Sequence, residues 1–227
     1  MSLRDFYRKD LENSYEQLGE DGKDGKTYLV TLKKVYSAKQ YNLKKNTKIA
    51  IKTFKPKKSV AKIKKEIEFQ NKAAEAGVSI PVYDANMTEK YIAMPVLHSL
   101  PAKVYHQLPE EIEYQLCALM ARLDDINVLH GDMNALNVMT DTTGRVYMID
   151  FGFAKTITKK IRSKHGKQPN VAVSLWGLSR GFQRHKVKCP IINACINAYK
   201  QGEDISAYIE NGELYLNKQC KTKKRKR

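Results

Sequence analysis

The sequence predicts an α+β chain of two lobes, a small β-rich N-lobe followed by a shortened, mainly helical C-lobe. Three observations predict this. Short strand patterns, over residues 28–35, 47–54 and 91–94, fall within the first hundred positions. Apolar residues at helical spacing dominate later, over 110–125, 171–182 and 191–199, with a further short helix expected over 204–210. Between these helical blocks lies a strand–turn–strand, 138–140 and 146–149 joined at Asp141-Thr142-Thr143-Gly144, with acidic residues at both ends.

The first element is a glycine-rich segment, Leu18-Gly19-Glu20-Asp21-Gly22-Lys23-Asp24-Gly25-Lys26-Thr27-Tyr28. Gly19, Gly22 and Gly25 let backbone amides approach phosphate oxygens with no Cβ in the way. Asp21 and Asp24 oppose a phosphate there, and a solvated hairpin turn is the other reading. A Walker A loop is excluded, because Gly25-Lys26-Thr27 would need glycine where Glu20 stands. The strand over 47–54 carries Lys52 near its end. Residues 59–76 place Ile63, Ile67 and Ala74 at helical spacing, with Ser59 as N-cap and Gly77 as the stop. Glu66 lies beside Ile63 and Ile67 on the inward face, while Glu68 points elsewhere. Tyr91-Ile92-Ala93-Met94 is a strand, and Pro95-Val96-Leu97 an extended link after it. In 110–125, Leu116, Leu119, Met120 and Leu123 form one apolar face that packs under the loop that follows.

That loop carries the chemistry. His130-Gly131-Asp132-Met133-Asn134-Ala135-Leu136-Asn137 precedes the hairpin, and Ile149-Asp150-Phe151-Gly152 follows it. A hairpin of this length returns its end to its beginning, so Asp150 comes back beside Asp132 and Asn137. Two carboxylates and a carboxamide converging on one point suit a divalent cation and a phosphate chain.

In this order and spacing the residues resemble the catalytic loop and metal-binding segment of the protein kinase superfamily. The resemblance spans about residues 15–160 and implies a two-lobed protein-kinase-like fold using ATP and Mg²⁺. It implies Asp132 as the residue that accepts or orients the hydroxyl proton, and Asn137 and Asp150 as metal ligands. It also implies Lys52 on the α- and β-phosphates paired with Glu66, the glycine segment over the phosphates, and Pro95 and Leu97 at the adenine ring with Met94 behind it. Gly131 replaces the arginine of His-Arg-Asp, which implies no control by activation-loop phosphorylation. Asn134 stands where many serine/threonine kinases carry a lysine, and no Ala-Pro-Glu follows Asp150. These departures are similar to the compact atypical kinases of the Bud32 and RIO types, as is the run from Glu66 to Pro81. Aminoglycoside and choline phosphotransferases share His-Gly-Asp and the Asn, and a small-molecule phosphotransferase is the alternative within this chemistry.

The resemblance divides the chain into an N-lobe over 1–94, a hinge over 95–99, a C-lobe over 100–217 and a basic tail over 218–227. The chain has 227 residues, 42% hydrophobic, which is enough to bury a core as one domain or two small lobes. No run of 18 apolar residues and no apolar leader occur, so a membrane span and a signal peptide are not expected. Four cysteines without a CxxC pattern indicate reduced thiols in an intracellular setting, cytoplasmic or nuclear. The net charge is +17 and unevenly spread. Residues 151–202 contain no Asp or Glu but eleven Lys and Arg, and 221–227 is nearly all Lys and Arg. Such a surface attracts polyanions: acidic protein substrates, nucleic acid, or a nuclear import receptor reading the tail. A non-catalytic nucleic-acid-binding protein on a kinase scaffold is the alternative outside enzymology.

Overall fold

The computed structural model describes residues 6, 15–19, 22, 24–38, 41–100, 106–205, 209–210 and 213–214. The basic tail lies outside these residues. Five strands, Glu16–Leu18 (β1), Gly25–Thr31 (β2), Lys48–Phe54 (β5), Asp84–Asn86 (β6) and Tyr91–Pro95 (β7), form one antiparallel sheet in the order β1-β2-β5-β7-β6. A separate hairpin joins Tyr36–Ala38 (β3) to Tyr41–Leu43 (β4). Alternation along β5 explains why both faces of the sheet are covered. Ile49 and Ile51 pack with Tyr28, Val30 and Tyr91, whereas Ala50 and Phe54 pack with Ile63, Ile92 and Met94.

Two of the expected boundaries move. The strand expected over 28–35 begins at Gly25 and ends at Thr31. It starts early because Gly25 pairs with Phe54 so closely that a Cβ there would collide with the carbonyl of Thr53. It ends early because Leu32 turns the chain, exchanging hydrogen bonds with Asn46 and Thr47 and leaving Val35 exposed.

The helix Val60–Glu75 (α1) has Ser59 as its N-cap, whose Oγ accepts from the Lys62 amide at 3.4 Å. Gly77, at φ +70°, closes the other end: its amide donates to Ala74 O at 2.9 Å and that of Val78 to Ala73 O at 2.8 Å. The face turned inward is Ile63, Glu66, Phe69, Gln70 and Ala73. A buried glutamate on that face requires a cationic partner.

The helical part is built on Glu110–Asp125 (α2), whose Leu116, Leu119, Met120 and Leu123 are all buried. Three further helices follow: Lys159–His165 (α3), Trp176–Arg184 (α4) and Pro190–Lys200 (α5). A π-helical stretch, Asn170–Leu175, runs directly into α4. Of the short helix expected over 204–210, residues 206–208 lie outside the described residues, and its last two positions are in a strand. Ile209–Glu210 (β13) instead pairs with Glu213–Leu214 (β14), with Asn211-Gly212 between them in the sequence, the residue pair most favourable to a tight hairpin. No described helix is long and apolar enough to cross a membrane.

The helices are tied together by two buried carboxylates with unusual titration. Asp124, at the end of α2, accepts hydrogen bonds from Asn170 N, Asn170 Nδ2 and Val171 N. Glu113 accepts from the Ile192 amide at the start of α5 at 2.9 Å, and its Oε1 has no partner. Burial outweighs these bonds and raises both groups to about 7. A carboxyl with a raised folded pKa stabilises the fold most below its unfolded pKa, and that stability is lost as pH rises through the folded value. His130, lowered by burial, has the opposite sign below pH 6.5, one group against the two carboxylates. The two carboxylates are therefore expected to make the melting temperature fall from about pH 4.5 to about 7 and to level off above it. Glu113→Gln, which keeps the helix cap without the charge, should flatten that slope. An equally steep slope in the variant would remove Glu113 as a cause.

Candidate active site

Lys52 shares a face of β5 with Ala50 and Phe54, so period-two alternation aims it at α1. Its Nζ donates to Glu66 Oε1 at 2.8 Å and to Asp150 Oδ1 at 3.1 Å. Burial opposes the charge on Lys52, but the two carboxylates outweigh it and its pKa is raised. Asp150 is lowered: burial opposes ionisation, and the Lys52 ammonium overcomes it. The Lys–Glu pair expected from the sequence is thus joined, and Asp150 is the third member.

A fourth and fifth member were not foreseen. Lys58 donates to Glu66 Oε2 at 2.6 Å and to Asp24 Oδ2 at 2.6 Å. Asp24 therefore does not face the site as an unopposed negative charge. Only tertiary structure separates Lys58 from its neighbours Lys55 and Lys57, since nothing local distinguishes three lysines in a four-residue run.

On the other side of the cleft, Val128–Leu129 (β9) pairs with Lys155–Thr156 (β12), and Val138–Thr140 (β10), bordered also by His98–Ser99 (β8), pairs with Val146–Met148 (β11). The first pairing presses Gly131, at φ +83°, against Phe153, where a Cβ would collide with the Phe153 carbonyl. An arginine at 131 is therefore incompatible with this backbone. The second pairing, continued by the Ile149 amide donating to Asn137 O at 3.0 Å, sets Asn137 next to the approach to Asp150. Asn137 Nδ2 donates to the Asp132 carbonyl at 2.7 Å, which fixes its amide plane and leaves Oδ1 as its acceptor atom. Asp150 adopts a left-handed conformation, φ 63°, with its carboxylate accepting from Gly152 N. Asp132 is half-buried and forms no ion pair among the described residues; Asn134 Nδ2 reaches its Oδ1 at a long 3.4 Å.

His130 stands behind this loop. Its Nε2 donates to Ile149 O at 2.9 Å and its Nδ1 is unpartnered, so the ring is the neutral tautomer that burial favours. The His130 amide in turn donates to Asn170 Oδ1 at 3.2 Å, and Asn170 is held by Asp124. The chain Asp124–Asn170–His130 anchors the loop that begins at His130 to the helical core. Sequence reading missed it because Asn170 lies 40 residues from His130.

Leu18, Val96, Leu97 and Tyr147 pack partly buried against Ala50, Ile80 and Met94, an apolar lining of the kind a purine ring requires. Pro95 closes β7 opposite Ile49. Gly19 lies just past β1 at φ +71°, and the Gly22 amide donates to Gly25 O at 3.0 Å. Gly25 itself is required by strand packing. Two open cavities, of about 410 and 550 Å³, lie elsewhere on the helical part, one beside Lys188 and Asn193 and the other beside Gln115 and Arg145. Neither is lined by a charged residue of the Lys52 cluster.

Asn137 and Asp150 offer hard oxygen donors, and no group of three or more His, Cys, Asp or Glu fit to hold a metal exists among the described residues. That donor set fits Mg²⁺, which characteristically takes one or two carboxylates and completes its shell with phosphates and water. A family model described as the RIO domain matches residues 15–163, from β1 into α3. No curated protein matches the chain. The match covers more than half of the sequence and the whole of the Lys52 cluster and catalytic loop, and the chain belongs to the RIO family of atypical, kinase-like phosphotransferases and ATPases.

Proposed function

We propose that this protein is an ATP- and Mg²⁺-dependent protein kinase that transfers the γ-phosphoryl group to serine or threonine hydroxyls of acidic proteins. The observation that carries the reading is the Lys52–Glu66–Asp150 cluster together with a loop whose Asp132 forms no ion pair among the described residues. Lys52 holds the α- and β-phosphates, oriented by Glu66. Asn137 and Asp150 would hold Mg²⁺, which would supply charge neutralisation on the transferring phosphoryl group. Asp132, with no cation on it, is free to accept the hydroxyl proton or to orient it. Positioning and charge stabilisation supply most of the catalysis.

The acceptor preference rests on charge. Of the eleven basic residues in 151–202, all but Arg162 are exposed; Arg162 is tied to the Asp124 carbonyl, Asn127 and the Lys167 carbonyl. Arg180 lies over the exposed Trp176 ring at 5.5 Å. The next residue, Gly177, borders the catalytic loop, with its Cβ position 3.9 Å from Met133 O. Acceptors flanked by acids or existing phosphates are therefore favoured. Exposed pairs contribute about 1 kcal/mol or less each, so the preference should be roughly several-fold to a hundredfold. It should shrink as salt rises from about 50 to 300 mM.

The test is a pair of peptides with one serine, flanked by acids in one and by lysines in the other, assayed with labelled ATP and Mg²⁺. Equal kcat/KM, or a preference for the basic peptide, removes the acidic-substrate reading. Salt-sensitive nucleic-acid binding with no phosphoryl transfer to either peptide would favour a binding role for the basic surface.

A further inference from the structure

Two lysines divide one carboxylate. Lys52 takes Glu66 Oε1 and has Asp150 as its second anion; Lys58 takes Glu66 Oε2 and has Asp24 as its second. The two halves are alike. Glu66 is fully buried, the lysine side chains are 7% and 14% exposed, and the outer aspartates are each about a third exposed. One buried carboxylate cannot compensate two buried ammonium groups, so each lysine takes a second, part-exposed anion on its open side, Asp150 at Lys52 and Asp24 at Lys58. At Lys52 the kinase reading brings nucleotide phosphate to that position. Lys58 has the same surroundings.

The placement of Asp24 supports this. Its carbonyl accepts from Lys55 N at 2.8 Å, which fixes it at the root of the glycine-rich segment immediately before β2. Around Gly152, the Cβ position is 3.2 Å from Asp150 Oδ1, 3.2 Å from Glu66 Oε2 and 3.4 Å from Asp24 Oδ2. Asp24 and Asp150 therefore border the same small space. The Phe54 ring backs both ammonium groups, with centroid distances of 4.7 Å to Lys58 and 5.3 Å to Lys52.

We propose that Lys58 is a second lysine for the nucleotide's phosphates, and that Asp24 is the anion it holds until a polyphosphate displaces it. The inference rests on the nucleotide-binding reading of the site. It has a consequence that a purely structural ion pair lacks, because the two partners affect nucleotide affinity with opposite signs. Asp24→Asn removes the competitor and frees the Lys58 charge, so ATP binds more tightly. Lys58→Met removes the cation, so ATP binds more weakly. Were the pair only a brace for the glycine-rich segment, breaking it from either end would shift ATP the same way.

The experiment is calorimetric titration of the full chain with ATP, ADP and adenosine in the presence of Mg²⁺. Asp24→Asn should lower the Kd for ATP and Lys58→Met should raise it, each by about tenfold, as for a charge-assisted hydrogen bond. Lys58→Arg should retain most of the affinity. Adenosine, which has no phosphate, should bind every variant as it binds the wild type. In the Lys58→Met background, Asp24→Asn should no longer tighten ATP. Should Lys58→Met fail to fold, the sign for Asp24→Asn alone decides, since its carboxylate is on the open side. Weaker ATP binding by Asp24→Asn, or equal shifts for adenosine and ATP, overturns the inference while a wild-type protein that binds ATP leaves the kinase reading standing. A wild type that binds no ATP overturns both.

Discussion

Asp150→Asn and Asp132→Asn are each expected to lower phosphoryl transfer by about a hundred- to ten-thousand-fold, and to differ in what they do to nucleotide binding. Asp150 is bonded to Lys52 at 3.1 Å and is the one carboxylate proposed for the cation, so its neutralisation takes a charge from both. Weaker Mg·ATP binding should accompany the loss of turnover. Asp132 contacts neither Lys52 nor Glu66, and its Asn137 contact runs through the backbone carbonyl, which the substitution preserves. Mg·ATP affinity should be nearly unchanged in Asp132→Asn, with the loss confined to kcat. Separate measurement of ATP Kd and of single-turnover rate distinguishes the two patterns. Either variant keeping more than about a tenth of wild-type turnover would exclude the role given to that residue.

The difference between these variants was foreseeable from sequence because local pattern placed both aspartates. Residues 110–125 carry an uninterrupted 3.6-residue period, and the helix occupies those positions. Ser59 and Gly77 are chemically specific end signals, and α1 begins and ends beside them. The resemblance called for a strand lysine and a helix glutamate, helix periodicity chose Glu66 over Glu68, and Lys52 and Glu66 meet at 2.8 Å. What stayed hidden was set by contacts distant in sequence. Lys58 pairs with residues 34 and 8 positions away, and its sequence neighbourhood is a run of lysines. Asn170 supports His130 across 40 residues and opens a π-helical turn, for which local propensity gives no signal. Gly131 was legible as a departure from the arginine of other kinases. Its cause, the Phe153 carbonyl brought up by the β9–β12 pairing, was not. At 209–210 the apolar spacing was too short to decide between helix and strand, and the Asn211-Gly212 pair in the sequence was the better guide.

The same cluster predicts the largest effect on stability. Glu66→Ala deletes the only fully buried charge in the network and leaves two lysines, both largely buried, with one part-exposed aspartate each. Removing one partner from a buried ion pair costs about 3–5 kcal/mol, because the remaining charge is stranded in a poorly solvated site. For a chain of this length about 1 kcal/mol shifts the midpoint by roughly 2–4 °C, so the melting temperature should drop by about 10 °C. Turnover should fall as well, since Lys52 keeps only Asp150, a group that the metal also claims. Glu66→Gln keeps the shape and one acceptor oxygen, and should lose less stability while still losing much of the activity. The decisive comparison adds Lys58→Met to Glu66→Gln. Removing one stranded ammonium should recover part of the lost stability, because the surviving amide then has a single lysine to satisfy. A Glu66→Ala protein melting within about 2 °C of wild type would mean that water reaches both lysines, and that the cluster is a surface network with little hold on the fold.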